Sequence, residues 1–314
     1  MAVYTHITSE QLVAFLAPYC LGTLESFTGI AEGVSNSNYL LNLSTGKYIL
    51  TLFEQRTNVE ELPYFLALTA HFDARGIPCP SPVRLPDGTA LGTLAGRPAV
   101  IVTFLPGKSV QHPDARLCGA AGRILADMHR GGLDFPLQRA NGLGPDSWMQ
   151  FLTTGDDGGD MVRRARVACS AVLAHWPKNL PQGAIHADFF PENVFFDDGK
   201  LCGVIDFYFA CNDLLAYDLA IALNAWCADA TGRIAPDRAG SMVRAYQAHR
   251  ALTLDEIAAM PTLLAASALR FLATRQHDWT HRHPGALVTP KDPAEYSRIL
   301  AFHTAHPEAF KEWL

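Results

Sequence analysis

The chain has 314 residues, of which 49% are hydrophobic and 18% charged, with a formal net charge of −6. This length accommodates one large domain or two moderate lobes around a sizeable core. The acidic balance, without a run of Lys or Arg, argues against a nucleic-acid or anionic-membrane surface. The first residues lack the basic segment and apolar run of a signal peptide. The seven cysteines include no CxxC pair, which is typical of free thiols in a reducing compartment, so we expect a cytoplasmic protein. The apolar stretch 258–272 is predicted to be too short to span a bilayer.

The first hundred residues are predicted to form mainly strands. A turn cluster at residues 44–47 indicates a hairpin. Residues 58–75 have the apolar spacing of a helix, with Pro63 in its first turn and Gly76 at its end. The predicted strands are residues 39–43, 48–53, 91–94 and 99–105.

Beyond the last of these strands, the apolar spacing becomes helical. Asp114 is predicted to cap a helix that ends at Arg130, and a polar, glycine-rich segment follows at residues 141–160. The further predicted helices are residues 161–176, 219–228, 239–249, 254–279 and 294–303. The pattern therefore predicts an α+β protein with a β-rich lobe over residues 1–105 and a mainly helical lobe over residues 106–314.

The segment 185–196 places polar residues in an otherwise apolar run. His186, Asp188 and Asn193 have the spacing H-x-D-x-x-x-x-N, and an apolar strand thirteen residues further on ends at Asp206. In kinases, such an aspartate accepts the proton of the attacking hydroxyl, while the amide and the second carboxylate hold Mg²⁺ against the phosphates of ATP. The pattern predicts Asp188 as the proton acceptor, and Asn193 and Asp206 as magnesium ligands. His186 is predicted to hydrogen-bond the loop backbone; a chance match in a polar loop is the weaker alternative.

Other segments make the likeness more specific. The loop, together with residues 215–220, resembles the aminoglycoside-phosphotransferase-like branch of the kinase fold. Within that branch the chain resembles the homoserine kinases over essentially its whole length, at residues 52–54, 61–65, 174–177, 204–218, 223–227, 285–288 and 291–293. The resemblance implies a protein-kinase-like two-lobe fold, ATP and Mg²⁺ as cofactors, and phosphorylation of L-homoserine in threonine biosynthesis. Asp218 is interpreted as a cap of the next helix that also steadies the loop.

Two parts of the kinase nucleotide site are altered in this sequence. Thr51 stands where kinases have a strand lysine that holds the phosphates; Lys47 and Arg56 are nearby replacements or simply exposed turn residues. The segment 32–38 has one glycine instead of a glycine-rich loop, and its short polar residues either donate to phosphate oxygens or form an ordinary turn. The predicted nucleotide-binding residues are Gly33, Ser35, Asn36, Ser37 and Thr51.

L-Homoserine carries a carboxylate, an ammonium and a hydroxyl group, so its pocket needs a partner for each. Arg270, Arg275 and Asp278 lie within about 140° on one predicted helix and are candidates for the two charged groups. Tyr208 and Asn224 are candidates for shaping the pocket. A solvated helix face is the alternative for Arg275 and Asp278, whereas Arg270 is flanked by apolar residues.

Other functions remain open at this point. A kinase for another small alcohol, such as an aminoglycoside, choline or methylthioribose, is the main alternative, and the arginines favour an acceptor with a carboxylate. Because Thr51 replaces the strand lysine, a further alternative is a pseudokinase, which binds nucleotide without catalysing a reaction. The joint presence of Asp188, Asn193 and Asp206 favours an enzyme, since a scaffold needs neither a proton acceptor nor metal ligands. The sequence leaves the oligomeric state undetermined.

Overall fold

A computed structural model describes residues 4–30, 36–54, 58–154, 159–281 and 290–314. The chain divides into two compact units, Met1–Pro106 and Gly107–Leu314. The first unit is built on a five-stranded sheet whose neighbouring strands are all antiparallel. Its elements are helix α1 (Ser9–Leu16), strands β1 (Leu24–Ile30), β2 (Ser37–Leu43) and β3 (Gly46–Leu52), helix α2 (Leu62–Asp73), and strands β4 (Leu91–Leu94) and β5 (Arg97–Thr103). The strand order is β1-β2-β3-β5-β4, and the predicted hairpin is the β2–β3 pair.

Helix α1 covers one face of this sheet and was not predicted. Its residues Leu12 and Leu16 are buried in the same apolar cluster as Leu41 of β2. The helix begins with a capping box, in which the Thr8 hydroxyl accepts the Gln11 N–H and the Gln11 side chain accepts the Thr8 N–H. The T-x-x-Q spacing at these positions is the sequence signal that marks its start.

The second unit is mainly helical. Its strands form two antiparallel pairs, β6 (Gln182–Ile185) with β9 (Cys211–Leu214), and β7 (Val194–Asp197) with β8 (Lys200–Val204). These short pairs position both ends of the polar segment identified in the sequence. The helices are α3 (Ala115–Gly131), α4 (Pro145–Thr153), α5 (Gly159–Ala174), α6 (Leu215–Cys227), α7 (Pro236–His249), α8 (Leu254–Thr280) and α9 (Pro293–Ala305).

The predicted helices of this unit are confirmed, with one addition. Asp114 caps α3 as predicted, because its carboxylate accepts the N–H of residue 117. Residues 141–160 were predicted to be a polar segment, yet α4 forms within them. Pro145 suits its first turn, and Trp148 and Leu152 bury its apolar side. Composition alone therefore hid a helix that tertiary burial stabilises.

Helix α8 is the longest helix of the second unit. Its length and apolar composition are sufficient to cross a membrane, so the prediction that this stretch was too short is wrong; however, 61% of its most apolar window is buried inside the protein. The helix packs against α6, α4 and α9 and begins at a capping box formed by Thr253 and Glu256. Its apolar composition is that of a core helix.

Candidate functional site

The segment after β6 and the segment after β8 are joined through the peptide groups of Ile205. The Ile205 N–H donates to the Asn193 carbonyl at 2.9 Å, and the Ile205 carbonyl accepts a hydrogen bond from His186 Nε2 at 2.9 Å. The Asn193 amide nitrogen in turn donates to the Asp188 carbonyl at 2.9 Å and to Asp188 Oδ2 at 3.2 Å. The three predicted active-site residues, Asp188, Asn193 and Asp206, are thus brought together by the strand ends.

The His186 ring is fully buried and is bonded at both nitrogens. While Nε2 donates to Ile205, Nδ1 accepts the Asp188 N–H at 3.2 Å. Burial is the main cause that lowers the pKa of His186, and a neutral ring with one donor and one acceptor nitrogen matches these two bonds. The prediction that His186 hydrogen-bonds the loop backbone is confirmed.

Asp218 holds the same loop from the interior of the protein. Its two carboxylate oxygens accept the N–H groups of His186 and Ala187, each at 2.8 Å. Burial alone would raise the pKa of Asp218, but hydrogen bonds from His129 and His186 lower it, so the group is ionised. The interpretation as a helix cap is wrong, because the cap position of α6 is Leu214; the steadying of the loop is confirmed.

Two residues of the site have left-handed backbone conformations without being glycine. Ala187 and Asp206 both have φ of 63°, a conformation that costs about 1–3 kcal/mol for an ordinary residue and is maintained only by surrounding contacts. The Ala187 N–H is held by Asp218, and its carbonyl is held by the guanidinium of Arg270. Both ends of this residue, which directly precedes Asp188, are therefore fixed.

Arg270 does not line an acceptor surface, which corrects the prediction from the sequence. The side chain is only 1% exposed; Nη1 donates to the Ala187 carbonyl, and the guanidinium lies 4.5 Å from the ring centroid of Phe271. Desolvation raises the pKa of Asp188, and the charge of Arg270 opposes that shift. The apolar neighbours of Arg270 thus mark a buried cation that supports the loop.

The negative charge of Asp188 acts on the carboxyl group of Asp206. Desolvation is the largest cause that raises the pKa of Asp206, and the charge of Asp188 adds to it, giving about 6. Part of the Asp206 side chain is exposed to solvent, but the protein around it displaces much of the water that would stabilise its negative charge. The amide nitrogen of Asn193 is bonded to Asp188, so Oδ1 is the atom of this side chain that could hold a cation. An amide oxygen beside carboxylates fits the preference of Mg²⁺ for hard oxygen ligands.

The predicted cluster of charges on α8 is divided between different environments. Arg275 donates to Glu295 Oε2 at 2.7 Å and stacks 4.5 Å from the ring centroid of Tyr296, so it ties α8 to α9. Asp278 is exposed, whereas Arg270 is buried. Shared spacing on a helix did not place the three at one accessible surface, since other helices cover the part of α8 that carries the arginines.

The two residues predicted to shape the acceptor pocket also lie in different surroundings. Asn224 is 1% exposed; its amide nitrogen donates to the Leu264 carbonyl at 2.9 Å, and its oxygen accepts from His303 Nε2 at 2.7 Å. This gives Asn224 a structural role between helices. Tyr208 is half-buried in the short 3₁₀ turn that directly follows Asp206.

The predicted nucleotide-binding residues of the first unit fall only partly within the described residues. Gly33, Ser35 and Arg56 lie outside them. Asn36 is buried, and its side-chain oxygen accepts the Glu54 N–H at 3.2 Å. Asn36 therefore connects the segment before β2 with the segment after β3.

Ser37 and Thr51 use their hydroxyl groups inside the sheet. Ser37 is fully buried at the start of β2, and its hydroxyl donates to Glu54 Oε1 at 2.7 Å. The Thr51 hydroxyl donates to Asn38 Oδ1 at 2.8 Å, linking β3 to β2. Lys47 is exposed. The described side chains of Asn36, Ser37 and Thr51 thus hold neighbouring segments of the sheet region together, because each of the three has an internal partner.

His129 belongs to this site, although the sequence did not reveal it. Its fully buried ring contacts Asp218 Oδ2 through Nε2 at 3.0 Å and the Tyr246 hydroxyl through Nδ1 at 2.7 Å. The hydroxyl also accepts from Arg250 at 3.1 Å, and Arg250 pairs with Glu256 at 2.7 Å. Burial lowers the pKa of His129, so it is a neutral donor to Asp218. The partners are 89 residues apart, and no spacing rule connects them.

This fold and loop define a phosphotransferase of the protein-kinase-like class. The structure is similar to an amicoumacin kinase in complex with AMP-PNP and Ca²⁺, with a TM-score of 0.70 and 16% identity, covering 96% of this chain and 93% of that one. It is also similar to a spectinomycin phosphotransferase in complex with ADP and spectinomycin, with a TM-score of 0.68 and 13% identity over 98% of both chains. These neighbours establish the fold.

The sequence comparisons identify the family. Residues 26–252 match the model of the phosphotransferase enzyme family, and the chain belongs to this family. It is 51% identical over 314 residues to a homoserine kinase of Methylorubrum populi, covering 98% of each chain. It is 48% identical over 310 residues to a homoserine kinase of Rhizobium meliloti, covering 97% of this chain and 95% of that one. The predicted resemblance is confirmed.

Proposed function

We propose that this protein transfers the γ-phosphoryl group of ATP to the hydroxyl group of L-homoserine. The observation that carries the proposal is the identity of about half of all residues, over nearly the whole length, with proteins named homoserine kinase. The product, O-phospho-L-homoserine, belongs to threonine biosynthesis. The partner of the enzyme is thus a small amino acid, and we expect it to act in the cytoplasm.

We assign the proton acceptor role to Asp188. As the hydroxyl oxygen of the acceptor bonds to the γ-phosphorus and the bond to the leaving ADP breaks, the hydroxyl proton passes to the Asp188 carboxylate. The rigid setting of Asp188 supports this role, because the residue before it is held at both ends and its own N–H is bonded to His186. Such positioning is a main source of catalysis in phosphoryl transfer.

We assign the magnesium site to Asn193 and Asp206. Among the residues that the structure describes, no group of three or more His, Cys, Asp or Glu side chains is placed to hold a metal. Two protein oxygens, with water and phosphate oxygens completing the shell, suit Mg²⁺, because this ion usually keeps several of its waters. When bound, the ion neutralises negative charge on the phosphates of ATP.

We further propose a division of labour along the chain. Residues 1–105 form the nucleotide-binding lobe, in which the segment 33–37 and Thr51 are the candidates for contacts with ATP. Because the hydroxyls of Ser37 and Thr51 already have internal partners, we expect backbone N–H groups to bind the phosphates there. Residues 106–314 form the lobe for catalysis and acceptor binding.

A coupled assay for ADP release tests the proposal. Purified protein with ATP and Mg²⁺ is supplied with L-homoserine, choline or kanamycin in separate reactions. We expect acceptor-dependent ADP release with L-homoserine and none above background with the other two. A faster reaction with choline or kanamycin would assign the enzyme to a different small alcohol, and no acceptor-dependent reaction with any of them would contradict a kinase for this set of acceptors.

A further inference from the structure

Glu192 and Lys291 form an ion pair on the exposed side of the catalytic loop. Glu192 lies four residues after Asp188 in the 3₁₀ turn Pro191–Asn193, and Lys291 lies two residues before the start of α9. Their side chains are 51% and 59% exposed. The kinase motif assigns no role to either residue.

The surroundings place this pair beside the proposed proton acceptor. The Lys291 ammonium lies 5.1 Å from the ring centroid of Phe190, two residues after Asp188. Phe190 itself is buried and packs on Phe271 of α8 with a centroid distance of 4.9 Å. Both charges act on Asp188, since Lys291 lowers its pKa and Glu192 raises it. The pair therefore lies on the same loop as Asp188 and within electrostatic range of its carboxylate.

The acceptor has the charges that complement this pair. L-Homoserine carries its ammonium and its carboxylate on one carbon, and a single methylene separates that carbon from the one bearing the hydroxyl. An exposed ion pair adds little to stability, so opening it costs little. Inserting a zwitterion gives each protein charge a new opposite partner in return.

We propose, on the basis of the proposed function, that Lys291 and Glu192 recognise the two charged groups of the acceptor. The Lys291 ammonium binds the carboxylate of L-homoserine, and the Glu192 carboxylate binds its ammonium group. The pair neutralises itself in the free protein and exchanges partners when the acceptor binds. Phe190, beneath the Lys291 ammonium, keeps that side chain over the loop. The two residues thus determine specificity, while Asp188 carries the chemistry.

The rival explanation is that the pair only ties the start of α9 to the loop. A double variant with exchanged charges distinguishes the two explanations. Glu192→Lys combined with Lys291→Glu can still form an ion pair between the loop and the start of α9, but with the charges exchanged. If the pair recognises the acceptor, the swap leaves the homoserine KM high, since each end of the zwitterion then meets a like charge. A swap that restores the wild-type homoserine KM would overturn the proposal.

Acceptor analogues test each half of the pair. 3-Amino-1-propanol lacks the carboxylate of homoserine, and 4-hydroxybutyrate lacks its ammonium. We expect Lys291→Ala to raise the homoserine KM roughly 10- to 100-fold, with kcat/KM for 3-amino-1-propanol nearly unchanged. We expect Glu192→Gln to raise the homoserine KM similarly, with kcat/KM for 4-hydroxybutyrate nearly unchanged. The KM for ATP should be unaffected in both.

Lys311→Ala is the matched control, because it removes a comparable exposed ion pair with Glu308 near the end of the chain; it should behave as wild type. An unchanged homoserine KM in Lys291→Ala and Glu192→Gln, with wild type active on homoserine, would overturn this inference alone. A wild-type protein inactive on homoserine would instead overturn the proposed function and this inference with it.

Discussion

The loop at residues 186–193, which carries the proposed proton acceptor, has a buried side and an exposed side, and different contacts hold them. On the buried side, Asp218 accepts two loop N–H groups, and Arg270 donates to a loop carbonyl. On the exposed side, the main polar contact is the pair between Glu192 and Lys291, whose side chains are about half exposed. The same short loop is thus fixed from within and only loosely bound at its surface.

The difference follows from the cost of leaving polar groups unpaired. A buried donor or acceptor without a partner costs about 1–3 kcal/mol, and more if it is charged. An exposed ion pair contributes about 0–1 kcal/mol. Contacts on the buried side therefore define one geometry, whereas contacts on the exposed side can be exchanged for contacts with a ligand. In the proposed mechanism, the buried side positions Asp188 and the exposed side recognises the acceptor.

Asp188 lies between the two sides, and its replacement should have the largest effect. Asp188→Asn keeps the shape of the side chain but removes the proton acceptor, so kcat should fall roughly 10²- to 10⁴-fold. ATP binding, measured by calorimetry, should be nearly intact. Asp146→Asn, at an exposed position at the start of α4, is the control and should retain wild-type kcat. An undiminished kcat in Asp188→Asn would remove this residue from its proposed role.

Arg270 tests the positioning role of the buried side. In Arg270→Met the Ala187 carbonyl loses its partner and the loop can shift, so kcat should fall roughly 10- to 100-fold. The homoserine KM should change little, because Arg270 is buried behind the loop. Arg270→Lys, which can still donate to that carbonyl, should recover much of kcat. A thermal melt verifies folding; a large rise in homoserine KM at unchanged kcat would return Arg270 to the acceptor site.

His303 tests whether buried polar groups of the second unit stay uncharged, with the smallest expected effect. Burial lowers the pKa of His303 to about 3, so below the ordinary histidine pKa only the unfolded chain takes up its proton. The free energy of unfolding therefore falls with falling pH, by up to about 1.4 kcal/mol per pH unit from this group. His303→Gln can still donate to Asn224 but lacks this proton uptake.

Urea denaturation of both proteins between about pH 6 and pH 4 measures the effect. The stability of wild type relative to His303→Gln should decrease steadily as the pH falls, because the other titrating groups are common to both. A difference that stays constant with pH would show that His303 is protonated in the folded protein.

Much of the fold follows from local patterns in the sequence. The β2–β3 hairpin, the cap of α3 at Asp114 and the long apolar helix that became α8 were all predicted from turn residues, caps and periodicity. Helix α4 was missed because its short apolar stretch lies within a segment that is otherwise polar and glycine-rich. Local signals suffice where neighbouring residues determine the structure, and they fail where a distant surface provides the burial.

For the site, the sequence by itself was enough to predict a reaction centre, because the spacing of His186, Asp188 and Asn193 and the strand before Asp206 are local features. The tertiary structure alone decided which charges are buried and which are accessible. It placed Arg270 behind the loop, tied Arg275 to α9, and paired Glu192 with Lys291, 99 residues away. The physical reason is that burial and pairing depend on contacts between segments remote in the chain. The residue spacing within one helix carries no information about those contacts.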